Sequence, residues 1–183
     1  VTDNYREFSS KGFQVDLQTD LAFLDMDHSL RLGFRYHIDD VRRQHQQRSY
    51  LMRSGILLDD AQLRPLKSDN YAESKAMALF VSDEINFNSL KVTVGLRHEE
   101  ISGEFDNKLS GVITSNKQSI TAPGLGFYYE ITQNLGVLAG IYRGFSPAGP
   151  GKEGTKAEES TNIEYGFRYH TDYMNVELIA FES

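Results

Sequence analysis

The stretch Leu30-Arg31-Leu32-Gly33-Phe34-Arg35-Tyr36-His37-Ile38 decides the fold, because its apolar side chains fall at every second position. Leu30, Leu32, Phe34, Tyr36 and Ile38 share one face, and Arg31, Gly33, Arg35 and His37 share the other. A pleated strand puts successive side chains on opposite faces, whereas a helix needs apolar spacing near 3.6. The same alternation returns in Leu90, Val92, Val94 and Leu96 against Lys91, Thr93, Gly95 and Arg97. It returns again in Ile163, Tyr165, Phe167 and Tyr169, and in Phe13, Val15 and Leu17. The segment Met77, Leu79, Val81 is less regular, and Asp83 interrupts its apolar face. The chain reads as all-β.

Strands are expected at 11–24, 29–39, 72–86, 90–102, 119–131, 134–146, 160–170 and 173–182. Tight turns join them at Asp25 to His28, Phe87 to Ser89, Thr132-Gln133 and Thr171-Asp172. Long links are expected at 40–71, 103–118 and 147–159, so that short and long connections alternate. A membrane β-barrel gives a reason for that order, since its turns are short on one side of the bilayer and its loops long on the other. Tyrosines near strand ends (Tyr36, Tyr129, Tyr142, Tyr169, Tyr173) fit an interfacial girdle, although the chain has no tryptophan. The competing arrangement is a soluble β-domain whose apolar faces meet between two sheets.

Composition narrows the classes further. The 183 residues carry 26 acidic and 19 basic side chains, a formal charge of −7, which argues against a general nucleic-acid binder. There is no cysteine, so disulfide frameworks, thiolate metal sites and cysteine nucleophiles are excluded. The longest run of apolar residues and glycine, Leu135 to Tyr142, has eight residues. A membrane-spanning helix needs about 20. Val1 to Arg6 has no signal-peptide pattern, and the strand ending at Ser183 stops without a polar tail, which points to truncation.

Several segments then resemble TonB-dependent outer-membrane receptors, most closely the ferric dicitrate receptor-like branch. They are Ala78-Leu79-Phe80-Val81-Ser82-Asp83-Glu84-Ile85 followed by Leu90 to Glu99, Pro123 to Tyr129, Gly140 to Pro147, Glu158 to Tyr169, and Val176 to Phe181. Ser82, His98 and Ala148 stand where that family usually has glutamine, tyrosine and proline. The resemblance covers about residues 29–183 and implies that 1–183 form a single, incomplete domain, a piece of the wall of a barrel of roughly 22 strands. It implies a Gram-negative outer-membrane location and a parent that imports a ferric chelate (a siderophore or ferric citrate). The TonB complex would act on the parent through a plug domain missing from this chain, and lipid and lipopolysaccharide would surround it. It implies no enzyme and no cofactor, and transport would belong to the parent. Gly95, Gly126 and Gly166 would face the lumen where the plug comes close, and Arg97, Glu164 and Arg168 would be wall charges. The alternative is a self-contained eight-stranded barrel with a structural or adhesive role, in which 11–24 would pair with 173–182.

The link at 40–71 carries the candidate ligand-binding residues: Arg42, Arg43, His45, Arg48 and Arg53, with no acidic residue between Val41 and Leu58. Guanidinium groups bind carboxylates bidentately and stay charged at any relevant pH. The plain alternatives are a solvated loop or pairing with lipopolysaccharide phosphates. Gly149 to Lys156 misses the phosphate-loop pattern, since Thr155 stands where lysine is required, and reads as a mobile outer loop. The histidines show no zinc-binding spacing. His98 beside Glu99 and Glu100 is the weak hint of a hydrolase, with no serine placed to complete it.

Overall fold

The computed structural model describes residues 2–60, 62 and 65–183. Ten strands account for most of them: β1 (Thr2–Phe23), β2 (Met26–Gln47), β3 (Tyr50–Arg53), β4 (Ile56–Asp59), β5 (Ser68–Phe87), β6 (Leu90–Asn107), β7 (Val112–Thr132), β8 (Leu135–Ser146), β9 (Glu158–His170) and β10 (Asn175–Glu182). Eight of them form one antiparallel meander in the order β1-β2-β5-β6-β7-β8-β9-β10, and β3 with β4 makes a separate hairpin. Among the described residues there is no helix and no second sheet stacked on the first.

The turns at one end are tight for local reasons. Leu24 and Asp25 both have positive φ, the geometry of a two-residue hairpin turn whose twist matches that of its strands. Asn88 takes the same left-handed conformation between β5 and β6.

A continuous band of apolar residues runs across one face of the sheet. In register across the sheet lie Leu17, Leu32, Val81, Leu96 and Pro123, and two residues nearer the turns Val94, Leu125, Ile141 and Ile163. Leu32, Leu79, Val94, Leu96, Leu125, Ile141 and Phe167 are all exposed, with no second sheet to cover them. The soluble-sandwich arrangement is therefore excluded. The outer border of this band also slopes. It reaches Ile38 on β2 but only Ile163 on β9, a fall of eight residues over five strand steps. At ~3.4 Å per residue and ~4.8 Å per strand the slope is near one in one. That matches the ~45° tilt at which strands cross a bilayer.

One polar pair interrupts the band. His28 Nδ1 lies 2.8 Å from Asp83 Oδ2, close to the tight-turn end, where charge on the lipid side costs least. Asp83 breaks the apolar pattern and His28, on the neighbouring strand, supplies its partner.

The inner face carries glycine and charge. Phe80 lies across Gly33, where an added Cβ would come 1.9 Å from the ring, and is flanked by the guanidinium carbons of Arg31 and Arg97 at 5.7 and 5.8 Å. Tyr128 lies across Gly136 in the same way, with Arg168 5.6 Å from its ring centre. Arg97 donates two bonds to the buried carboxylate of Glu99 (2.9 and 2.7 Å), and Arg168 pairs with Glu177 at 2.6 Å. Of the three glycines expected to face the lumen, Gly95 and Gly126 have room for a side chain within this chain, while Gly166 is closed off by the Leu178 carbonyl.

β1 pairs with β2 alone and β10 with β9 alone, so the sheet does not close on itself. The expected pairing of a self-contained eight-stranded barrel is absent among the described residues.

Two expected loops are strand instead. β2 continues to Gln47, β5 begins at Ser68, and β6 and β7 are joined by residues 108–111 with Gly111 at positive φ. Where strands project beyond lipid both faces are wet, so the alternation disappears while the backbone ladder continues. Arg42, Arg43 and His45, read as loop residues, are therefore strand residues of β2.

Candidate functional site

The end of the sheet away from the tight turns holds every long connection and every residue the sequence nominated. The pleat separates those residues. Arg42 continues the lipid-facing row upward, opposite Glu7 of β1 and Tyr71 of β5. Arg43 and the similarly placed His45 point the other way, to the inner face. Arg43 lies opposite Arg6 and Asn70, and His45 opposite Asn4 and Ser68. Arg48 lies in the link from β2 to β3, and Arg53 ends β3 beside the turn Ser54-Gly55. That hairpin exposes Leu51, Met52, Ile56 and Leu57. The structure thus brings Arg43 and His45 together and leaves Arg42 on the opposite face.

The two faces differ in charge. On the outward face above the apolar band stand Glu7, Asp40, Asp69, Glu73, Glu104 and Asp106. The Tyr71 phenol sits above its usual range there, because burial disfavours the phenolate and Asp40 and Glu73 repel it. It remains a donor, to Glu73 Oε2 at 3.4 Å. On the inner face, from Val41 outward, the described residues of β1, β2, β5, β6 and β7 include no carboxylate. In a chain of net charge −7 this segregation creates a positive inner wall at the mouth.

The connection 147–157 completes that mouth. The β7–β8 ladder ends at Gly124–Tyr142, one residue short of Pro123, which has no N–H to extend it. Above that point the β8–β9 connection folds back across the inner face of β7. Gln118 Nε2 donates to the Ala148 carbonyl (3.0 Å), and its Oε1 accepts from the Ala148 amide (2.9 Å). Asn116 Nδ2 donates to the Gly149 carbonyl (3.3 Å), and its Oδ1 accepts from the Gly151 amide (3.1 Å). The two carboxamides behave as a short stretch of backbone, and each residue is only 9% exposed. Phe145 and Ala157 pack on Ala76, Ile101 and Ile120 beneath. Gly103 leaves room for Pro150, since a Cβ there would meet the Pro150 Cα at 2.8 Å. The segment read as a mobile outer loop is pinned to the wall, and a polar cavity of about 550 Å³ remains between Ser115–Ile120 and Glu153–Ala157.

The pleat splits the His98-Glu99-Glu100 cluster, leaving only Glu100 on the His98 face. His98 faces outward, with Nδ1 2.9 Å from Thr121 Oγ1, while Glu99 faces inward to Arg97. No group of His, Asp or Glu side chains able to hold a metal ion occurs among the described residues.

One tilted antiparallel sheet, apolar outside and charged inside, with short turns at one end and a built-up mouth at the other, defines the wall of a membrane β-barrel. The chain belongs to the TonB dependent receptor-like, beta-barrel family, whose model matches residues 1–183. It is a family of outer-membrane receptors and transporters, not of enzymes. Among solved structures it is similar to the unliganded ferric citrate transporter FecA, at 20% identity and a TM-score of 0.84. That match covers 98% of this chain and 28% of FecA. It is also similar to BauA, the ferric preacinetobactin receptor of Acinetobacter baumannii (14% identity, TM-score 0.76, covering 98% and 29%). The alcaligin receptor FauA of Bordetella pertussis gives 13%, 0.76, 98% and 30%. At these identities the likeness establishes the fold, and the chain spans under a third of each receptor. No curated protein matches it by sequence.

Proposed function

We propose that this chain is part of the wall and outer mouth of an outer-membrane receptor that captures a ferric chelate and imports it with energy delivered by TonB. The observation that carries the reading is the positive inner wall at the mouth of a chain that is otherwise acidic. A field of one sign in a low-dielectric funnel raises the capture rate of an oppositely charged ligand. The named ligands of FecA, BauA and FauA, which are ferric citrate, ferric preacinetobactin and alcaligin, make an iron chelate the natural cargo class. TonB would act through a plug outside this chain, and the exposed apolar band would face lipid and lipopolysaccharide. The wall itself performs no covalent chemistry. Its part is to bind, orient and enclose.

In this reading Arg43, His45, Arg48 and Arg53 contribute to ligand docking, and Arg42, on the outward face, does not. Replacing Arg43, Arg48 and Arg53 together by glutamine in the intact receptor weakens equilibrium binding of radiolabelled ferric citrate by at least about tenfold, the loss of roughly one charge-assisted hydrogen bond. Unchanged binding of ferric citrate and of every other ferric chelate offered would reject the docking role.

A further inference from the structure

We propose that the lipid-facing wall of β1, β2, β5 and β6 binds one phospholipid with a primary-ammonium headgroup. Its head sits on His28 and Asp83, and one acyl chain lies in the apolar groove beside them. The site is on the outside of the barrel and does not depend on what the receptor carries.

Three observations carry it. The first is the polar pair itself, since ionisable side chains at membrane depth are costly and mark function by default. His28 Nδ1 is 2.8 Å from Asp83 Oδ2, yet the other polar atom of each, His28 Nε2 and Asp83 Oδ1, is buried with no hydrogen-bond partner. Buried polar atoms normally find one. Phe23 covers the pair from one side, its ring 6.5 Å from the imidazole, and with 64% of its surface exposed it has little to hold it there. The second observation is charge. From the row of Leu32 to the tight turns, the outward face of β1, β2, β5 and β6 carries the Asp83 carboxylate and no lysine or arginine. The outward-facing basic residues of β1, β2, β5 and β7, which are Lys11, Arg42, Lys75 and Lys117, all stand toward the mouth. An anionic headgroup finds no fixed cation near the tight turns, whereas an ammonium finds a carboxylate. The third is the groove. A cavity of about 450 Å³ opens on the lipid side between Val15, Leu17, Leu32, Leu79, Val81 and Leu96. It begins at Val81, two residues from Asp83 and ~7 Å along the strand at ~3.4 Å per residue. An acyl chain takes that direction from a head at the tight-turn end toward the middle of the bilayer.

The headgroup follows from what the two residues offer. A carboxylate can only accept, so His28 Nδ1 donates to it, and a neutral imidazole then presents Nε2 as a second acceptor. Asp83 Oδ1 and His28 Nε2 together call for a positive group with more than one N–H. A primary ammonium has that, whereas a choline headgroup has the charge and no N–H to donate. The tight turns of outer-membrane barrels face the periplasm, where the leaflet is phospholipid. The occupant is therefore a lipid of the phosphatidylethanolamine type from that leaflet.

The test titrates the intact receptor in detergent with phosphatidylethanolamine, phosphatidylcholine and phosphatidylglycerol of identical acyl chains, and counts bound lipid by native mass spectrometry. The wild-type receptor holds one phosphatidylethanolamine about tenfold or more tighter than either of the others, the worth of roughly one charge-assisted hydrogen bond. Asp83→Asn removes that preference, while Glu84→Gln, on the inner face, keeps it. Leu79→Trp fills the groove and weakens all three lipids alike. A wild-type receptor indifferent to the headgroup overturns the proposal without recourse to any variant. Equal loss of all three lipids in Asp83→Asn would mean a structural role and overturns it too, as does a preference that survives this substitution. Undiminished phosphatidylethanolamine binding in Leu79→Trp would show that the groove holds no chain, and the site as described would fail. None of these outcomes bears on the ferric-chelate reading, which stands or falls on its own test.

Discussion

Phe127→Arg is expected to destabilise the folded barrel in lipid vesicles by about 2–4 kcal/mol, as arginine does on the lipid side near the bilayer midplane. Phe127 lies midway along the apolar row of β7, between Val92 of β6 and Ala139 of β8, and 43% of its surface is exposed. No carboxylate stands directly beside it on that face, so an arginine there has nothing to pair with. Thr93→Arg supplies the contrast. Thr93 is on the inner face opposite Glu84 and Gly126. A guanidinium there meets a carboxylate and bare backbone, and the expected change is below about 0.5 kcal/mol. Urea titration of both variants refolded into vesicles reads the difference. Equal penalties would mean that the two faces share one environment.

The second large effect concerns the mouth. Gly103→Val is expected to free the 147–157 connection from the wall. The new Cβ would come 2.5 Å from Asn116 Oδ1 and 2.8 Å from the Pro150 Cα, and the second contact is backbone that no rotamer change relieves. Overpacking of this kind costs about 1–3 kcal/mol. Each hydrogen bond made by Asn116 and Gln118 is worth about 1 kcal/mol, so the clamp gives way before the sheet does. Amide exchange at Ala148 and Gly151 should rise about tenfold or more, while β6 and β7 keep their protection. Gly149→Val, in the same segment, meets nothing within 4 Å and should leave exchange at both amides unchanged. If Gly103→Val leaves the two amides as protected as before, the connection is not held in the way described.

What was legible in the sequence follows from where lipid lies. Leu30 to Ile38 and Leu90 to Arg97 announced strands because a bilayer on one side and polar surroundings on the other force a period of two. Asp39-Asp40-Val41-Arg42-Arg43-Gln44 belongs to the same strand, yet water on both faces leaves it without a pattern. The same blindness hid the outer ends of β6 and β7 (103–107 and 112–118), and with them Asn116 and Gln118. The β3–β4 hairpin had only Ser54-Gly55 as its signal.

The candidate site was legible as composition but not as geometry. An arginine-rich, acid-free stretch was visible, but neighbours in sequence are opposites on a strand, so Arg42 and Arg43 cannot serve one surface. Arg6 escaped notice because it lies 37 residues from Arg43 in the chain, and only the β1–β2 register brings them together. The opposed pair is a long-range fact that no local spacing encodes.

The account stands on the claim that the apolar face meets lipid. Single cysteines placed in turn from Leu90 to Arg97, each carrying a nitroxide label in the receptor reconstituted in vesicles, test it directly. Collision with dissolved oxygen, which concentrates in the bilayer, should be high at 90, 92, 94 and 96 and low at 91, 93, 95 and 97. Oxygen access that is uniform along the segment, or that repeats near every 3.6 residues, would contradict it.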